Sequence, residues 1–153
     1  MSYSRPCAVN TKPPVPIGES EYEAVIALWE AAGLPYKPTG RDSREAFARQ
    51  LEGNMAAFGV YSEDGRLIGV VLATHDERKG WINRLAVHPD FRRRGVGRAL
   101  IRAAEGWLRE QGIGIFAALI EPGNEVSLAV FQAAGYVDWP GIHYVSKRDR
   151  EDV

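Results

Sequence analysis

The sequence predicts an α+β domain: a mixed, mainly antiparallel central sheet with helices on both faces. Three observations carry this expectation. Between residues 56 and 87, apolar runs bounded by turn residues follow one another with no helix between them, so they pair as antiparallel neighbours. Apolar residues at three- and four-residue spacing mark helices before and after these runs. Strands and helices do not alternate regularly, which excludes a repeating βαβ fold.

Pro6, Pro13, Pro14 and Pro16 make residues 1–14 a loose extension, loosest from Met1 to about Thr11, and confine any strand near Val15–Ile17 to a sheet edge. Ser20-Glu21-Tyr22-Glu23 fits a capping box. The helix it opens carries Tyr22, Val25, Ile26 and Trp29 on one face and ends at Gly33. A loop with Pro35 and Pro38 follows, then a more polar helix from Ser43 to about Glu52. The runs Ala56–Tyr61 and Leu67–Thr74 flank Glu63-Asp64-Gly65-Arg66, a hairpin signal. The polar stretch His75–Gly80 turns the chain into a strand over Trp81–Val87.

Val96, Leu100, Ala103, Ala104, Trp107 and Leu108 form one apolar stripe on a helix over Val96–Glu110, with Gly112 as its stop. Ile113–Ile120 reads as a fully buried strand, broken by Glu121-Pro122-Gly123. Asn124 opens a helix to Ala134, closed by Gly135. Tyr136–Trp139 and Ile142–Ser146, split by Pro140-Gly141, read as a final pair of strands. Residues 15–153 are thus expected to form a single domain.

A chain of 153 residues can bury a core without staples. Its net charge of −1 argues against a general nucleic-acid binder, so Arg92, Arg93 and Arg94 are a local patch. Cys7 is the only cysteine, which rules out an intrachain disulfide and a cysteine-based zinc centre. Without a membrane-length apolar run, or a signal-peptide core in Met1–Asn10, the expectation is a cytoplasmic protein with no membrane, metal or nucleic-acid partner.

The segment His88-Pro89-Asp90-Phe91-Arg92-Arg93-Arg94-Gly95-Val96-Gly97-Arg98 joins a strand to a helix. Glycine lets backbone approach a ligand closely, and the first-turn N–H groups of a helix are unpaired and carry the positive end of its dipole. Such a turn is an anion cradle suited to phosphate. It is not a nucleotide P-loop, because no Gly-Lys-Ser/Thr follows, nor a dinucleotide fingerprint, which needs a third glycine.

Downstream stand Asn124, Ser127, Leu128, Phe131 and Gly135-Tyr136. Together with Arg92, Gly95 and Gly97 these resemble the GNAT superfamily of acyl-CoA-dependent N-acyltransferases, whose pattern pairs Q/R-x-x-G-x-G/A at a helix start with an Asn-led helix closing in Gly-aromatic. The resemblance runs from about Ser20 to Lys147. It implies a GNAT-like fold and an acetyl-CoA co-substrate. The pyrophosphate would lie on the loop amides, with Arg92, Arg93, Arg94, Gly95, Val96, Gly97 and Arg98 around it. The backbone of Leu85, Ala86 and Val87 would pair with pantetheine where that strand splays from 113–120. The Leu85 amide would face the thioester carbonyl as oxyanion donor, and Asn124, Ser127 and Phe131 would line the pantetheine wall. Asn124 is equally suited to a plain helix cap. Proteins of this resemblance often dimerise, so a homodimer is within its scope.

Acyl transfer needs a neutral amine, and an amine with a pKa of ~10.4 is neutral about once in 2,500 molecules at pH 7, at a cost of roughly 4.6 kcal/mol. The family meets this with a strand carboxylate, and often adds a tyrosine on the last helix to protonate the thiolate. Here the tyrosine position is Phe131, and the carboxylate positions read as Trp81 and Leu119. Glu121, Tyr144 and His75 are weak candidates for proton handling, with Asp76 and His143 behind them. No general base is assigned. The acceptor pocket is expected from Trp29 to Asp42, with Tyr36 and Arg41 in it, and from the 75–79 turn. The reading is an N-acetyltransferase acting on a primary amine of a small molecule or protein. The alternative is a non-catalytic acyl-CoA-binding or sensing module.

Overall fold

Five strands lie in sequence order in one sheet in the computed structural model, which describes residues 12–153. They are β1 (Val15–Ile17), β2 (Met55–Tyr61), β3 (Leu67–His75), β4 (Gly80–Val87) and β5 (Phe116–Ala117). β1 to β4 pair antiparallel, and β5 pairs parallel with β4. The helices are α1 (Tyr22–Ala31), α2 (Arg44–Glu52), α3 (Val96–Glu110) and α4 (Glu125–Ala133). The α+β class and mainly antiparallel sheet are as expected. Residues 1–11, with Cys7 and most of the extension, lie outside the described residues.

The sheet separates two apolar cores. Val25, Leu28 and Trp29 of α1 and Phe47 of α2 pack with Leu67, Val70, Leu72 and Ala86. On the other side Val96, Leu100, Ile101, Ala104 and Leu108 of α3 pack with Ile68, Val71, Ala73, Ile82 and Phe131. β3 is covered on both faces, which is why its sequence is a continuous apolar run. α3 sits close to the sheet because Gly69 and Gly80 leave room for it. A Cβ on Gly69 would lie 2.7 Å from Val96 Cγ1, and one on Gly80 would lie 2.6 Å from Leu108 Cδ1.

Local signals hold for α2, where the Ser43 hydroxyl accepts the Ala46 N–H at 3.1 Å. The capping box at α1 does not form. A 3₁₀ turn, Glu19–Glu21, precedes the helix, and its cap carries no side-chain hydrogen bond. The carboxylates have stronger partners elsewhere: Glu23 takes Arg44 Nη2 at 2.6 Å, and Glu21 accepts the Tyr61 hydroxyl at 2.6 Å.

Two strand expectations are corrected. The buried strand over 113–120 shrinks to Phe116–Ala117, with Ile113 buried but Ile115 and Leu119 exposed. Residues 136–146 form no strand at all, and Val137, Trp139, Ile142, Tyr144 and Val145 are exposed. β5 is a sheet edge, and among the described residues no strand pairs on its outer side. An apolar run becomes a buried strand only where another element covers it. Further on, the main chain of Asp152 returns against Gly40 in the α1–α2 loop.

Candidate functional site

Between β4 and α3, a 3₁₀ turn (Pro89–Phe91) is set by the His88 ring, whose Nδ1 accepts the Asp90 N–H at 3.2 Å. The chain then runs through Arg93 at φ 63° to Gly95 at φ 79°, the cap residue of α3, which carries no side-chain cap bond. The first turn closes with Ala99 N–H donating to the Gly95 carbonyl at 3.0 Å. The N–H groups of Val96, Gly97 and Arg98 precede that bond and have no helical acceptor. Val96 is 4% exposed and anchors the helix start, while Arg92, Arg93, Arg94 and Arg98 stay exposed. Arg94 and Arg66 both lie over the Phe91 ring, at 5.1 and 5.4 Å. The result is a cationic turn leading into three first-turn amides without helical acceptors.

β4 and β5 touch only at one end, where Gly80 faces Phe116 and Trp81 faces Ala117. Beyond this the edge of β4 is unpaired with β5, giving the splay expected at Leu85, Ala86 and Val87. A bulge shapes that edge. Leu72 faces Asn83 and Val70 faces Ala86, so Arg84 and Leu85 together oppose Val71. Arg84 takes φ 56°, a left-handed conformation costly for a residue with a Cβ.

The bulge decides where the Leu85 amide points. Gly80 N–H donates away from β3, to the Ile115 carbonyl at 2.8 Å, and regular alternation from there would aim Leu85 N–H at β3. His88 N–H donates to Ile68 on β3 at 2.8 Å, and counting back from it aims Val87 and Leu85 N–H at the open side. The extra residue reconciles the two counts and turns the Leu85 N–H into the splay.

The second motif converges on the same place. Asn124 caps α4, its Oδ1 accepting the Ser127 N–H at 3.2 Å. A Cβ on Gly97 would touch Val130 of α4 at 3.4 Å, Val87 at 3.8 Å and Leu85 at 4.0 Å, so α4, β4 and the start of α3 meet there. Phe131 is 4% exposed and sits in the core, its ring edge-on to Tyr136 at 5.1 Å. The Tyr136 hydroxyl donates to Glu105 at 2.7 Å, and burial first, then that bond, holds it strongly protonated.

On the α1–α2 face, Trp29 is 1% exposed and Tyr36 stands 6.5 Å from it, with the Tyr36 hydroxyl donating to Glu30. Asp42 accepts the Lys37 N–H at 2.8 Å, and its carboxylate lies 4.0 Å from Arg41 Nε. Arg84, absent from the sequence reading, reaches into this group with its guanidinium carbon 4.0 Å from the centre of the Trp29 ring. Asn83-Arg84 interrupts the apolar run Trp81–Val87, and that interruption was the available signal.

The weak proton-handling candidates are not gathered at the splay. His75 pairs with Gly80 at the joined end of the strands, with its ring 5.5 Å from Trp107. Leu85 stands five residue steps from Gly80, about 16 Å of strand. Asp76 is occupied by the hairpin turn, accepting N–H groups of Arg78 and Lys79 at 2.9 and 2.8 Å. The 75–79 turn therefore lies at the opposite end of β4 from Leu85. Glu121, His143 and Tyr144 are exposed. Among the described residues no group of three or more His, Cys, Asp or Glu is arranged to hold a metal, and no helix is long and apolar enough to cross a membrane.

Residues 22–136 match the model of the acetyltransferase (GNAT) family. An acetyltransferase of Pectobacterium atrosepticum is 30% identical over 118 residues, which is 77% of this chain and 82% of that protein. The fold is shared with the aminoglycoside acetyltransferase AAC(6')-Iy, solved with a bisubstrate analogue of CoA and acetylneamine, at TM-score 0.75 and 22% identity over 91% of this chain and 99% of that one. It is shared too with the PaiA N-acetyltransferase of Thermoplasma acidophilum in complex with coenzyme A, at TM-score 0.68 and 16% identity over 81% and 87% of the two chains.

Proposed function

The chain belongs to the acetyltransferase (GNAT) family, and from that premise we propose that it transfers the acetyl group of acetyl-CoA to a primary amine. The carrying observation is the β4 bulge, which turns the Leu85 N–H into the splay beside the unpaired amides at the start of α3. In this reading Val96, Gly97 and Arg98 amides hold the pyrophosphate, with Arg92, Arg93 and Arg94 adding charge around Gly95. Pantetheine runs along the free edge of Leu85, Ala86 and Val87, walled by Asn124 and Ser127. The amine nitrogen attacks the thioester carbon, the oxygen gains charge facing the Leu85 N–H, and the C–S bond breaks. The nitrogen sheds a proton and the thiolate takes one. Phe131 has no proton to give and Tyr136 holds its own for Glu105, so water serves as the donor.

Release of free thiol from acetyl-CoA across a panel of amines tests this. Turnover with at least one amine is the expected result. Tight CoA binding with no turnover on any amine leaves the alternative, a binding module, which the core position of Phe131 favours.

The same reading takes two copies as the assembly. The chain carries both an open edge at β5 and strand-patterned, exposed apolar residues at 136–146, and a second copy supplies the complement of each.

A further inference from the structure

Arg84 holds a left-handed backbone, φ 56°, at the bulge of β4, a conformation that glycine adopts freely and arginine does not. Strained backbone of this kind persists only where its surroundings over-determine it. Strand β3 fixes both flanks of the bulge. Asn83 pairs with Leu72 and its Nδ2 donates to Thr74 Oγ1 at 3.2 Å, while Ala86 pairs with Val70. To the two residues between these flanks, Arg84 and Leu85, β3 offers a single partner. Pairing alone therefore does not settle their conformation.

The remaining hold comes from α1. The Arg84 guanidinium carbon lies 4.0 Å from the centre of the Trp29 ring, a close cation–π contact. Its Nε and Nη2 are shielded from solvent and have no hydrogen-bond partner among the described residues, and the same holds for Nε1 of Trp29. The head group is thus held by the indole face and by burial, as a planar guanidinium stacked on an aromatic ring. Trp29 is itself fixed, 1% exposed in the core with Val25, Leu28 and Phe47. The residue it holds is the immediate neighbour of Leu85, whose N–H reaches the splay only because of the bulge.

We propose that Trp29 is a positioning residue for acetyl transfer. By stacking on Arg84 it keeps the bulge in its left-handed form and the Leu85 N–H turned into the splay, to meet the charge that develops on the thioester oxygen. The link to transfer rests on the acetyl-transfer reading above; the hold on the bulge does not. The amides assigned to the pyrophosphate belong to α3, which packs on the other face of the sheet from Trp29. Loss of the stack therefore acts on rate and leaves CoA affinity alone.

Kinetics and backbone chemical shifts test this together. Trp29→Leu should lower kcat about 10-fold, with KM for acetyl-CoA and calorimetric affinity for CoA within about twofold of the parent. Trp29→Phe, which keeps a ring beneath the guanidinium, should recover most of the rate. In an Arg84→Gly background the left-handed conformation needs no side-chain support, so Trp29→Leu should cause no further fall in kcat. Trp29→Met repeats each measurement if the leucine variant does not fold. In the ligand-free protein the carbon chemical shifts of Arg84 report its backbone directly. They should move from left-handed towards extended values in Trp29→Leu and stay in place in Trp29→Phe. Unmoved shifts in Trp29→Leu, a joint loss of kcat and CoA affinity, or the same loss of rate in the glycine background overturns the proposal. A bulge that loosens in Trp29→Leu, in a protein whose parent transfers to no amine, overturns the acetyl-transfer reading and leaves the hold of Trp29 on the bulge standing.

Discussion

The guanidinium of Arg84 rests 4.0 Å above the indole of Trp29, joining the bulge on β4 to the buried face of α1. The contact ties the left-handed residue of the bulge to the core around Trp29. Trp29→Ala should lower stability by about 3–5 kcal/mol, because the side chain is 1% exposed. Trp29→Phe should cost much less, since the indole N–H has no partner to lose among the described residues. Denaturant unfolding of both variants checks the order.

Gly97→Asp should weaken CoA binding more than 10-fold with little loss of stability. The Cβ finds ordinary contact with Val130 at 3.4 Å, so the effect comes from the negative charge at the amides of the first turn. Gly95→Asp combines that charge with the strain of a left-handed residue at φ 79°, about 1–2 kcal/mol. Arg93→Ala, at an exposed position, should cost no more than ~1 kcal/mol of binding. Calorimetric titration with CoA separates the three, and unchanged affinity in both glycine variants would reject the cradle.

Gly69→Ala should destabilise by about 1–3 kcal/mol, because its Cβ would stand 2.7 Å from Val96 and 2.9 Å from Leu100. The substitution pushes α3 off the sheet at the end that carries the cradle. Loss of CoA affinity alongside the lowered melting temperature is the expected pair of readings.

Tyr61 gives an alkaline signature. Burial first, then donation to Glu21, raises its pKa from 10.0 to about 12. The folded state holds this proton more tightly than the unfolded chain, so its contribution is complete below pH 10 and is lost as pH rises towards 12. Tyr61→Phe should flatten that part of the decline. Urea midpoints between pH 9 and 12 for the two proteins test it, and identical slopes would count against the assignment.

If two copies associate through residues 136–146, Ile142→Asp together with Val145→Asp should shift the protein to the mass of one chain. Both side chains are exposed, Val145 at 86%, so the single chain loses little by the change. Sedimentation of the unaltered protein as a monomer would end the idea.

Much of the architecture was legible because its signals are local. The stripe Val96–Leu108 marks α3 from end to end, Ser43 caps α2, Asn124 caps α4, and the glycine-arginine turn lies where the cradle forms. Spacing and caps act within a few residues, so one sequence suffices to read them. Other features depend on what stands opposite. The bulge exists because Arg84 and Leu85 share one partner on β3, and the run 113–120 is only partly buried because no described strand pairs beyond β5. His75, Asp76 and Tyr144 are plausible proton carriers by residue type, yet strand direction and exposure set them apart from the splay. The amino acids alone determined the helices, the antiparallel strands before α3, the glycine-arginine turn and the family. Only the tertiary structure decided where the Leu85 amide points and that Arg84 lies over Trp29, because pairing register is a property of two segments and neither encodes it alone.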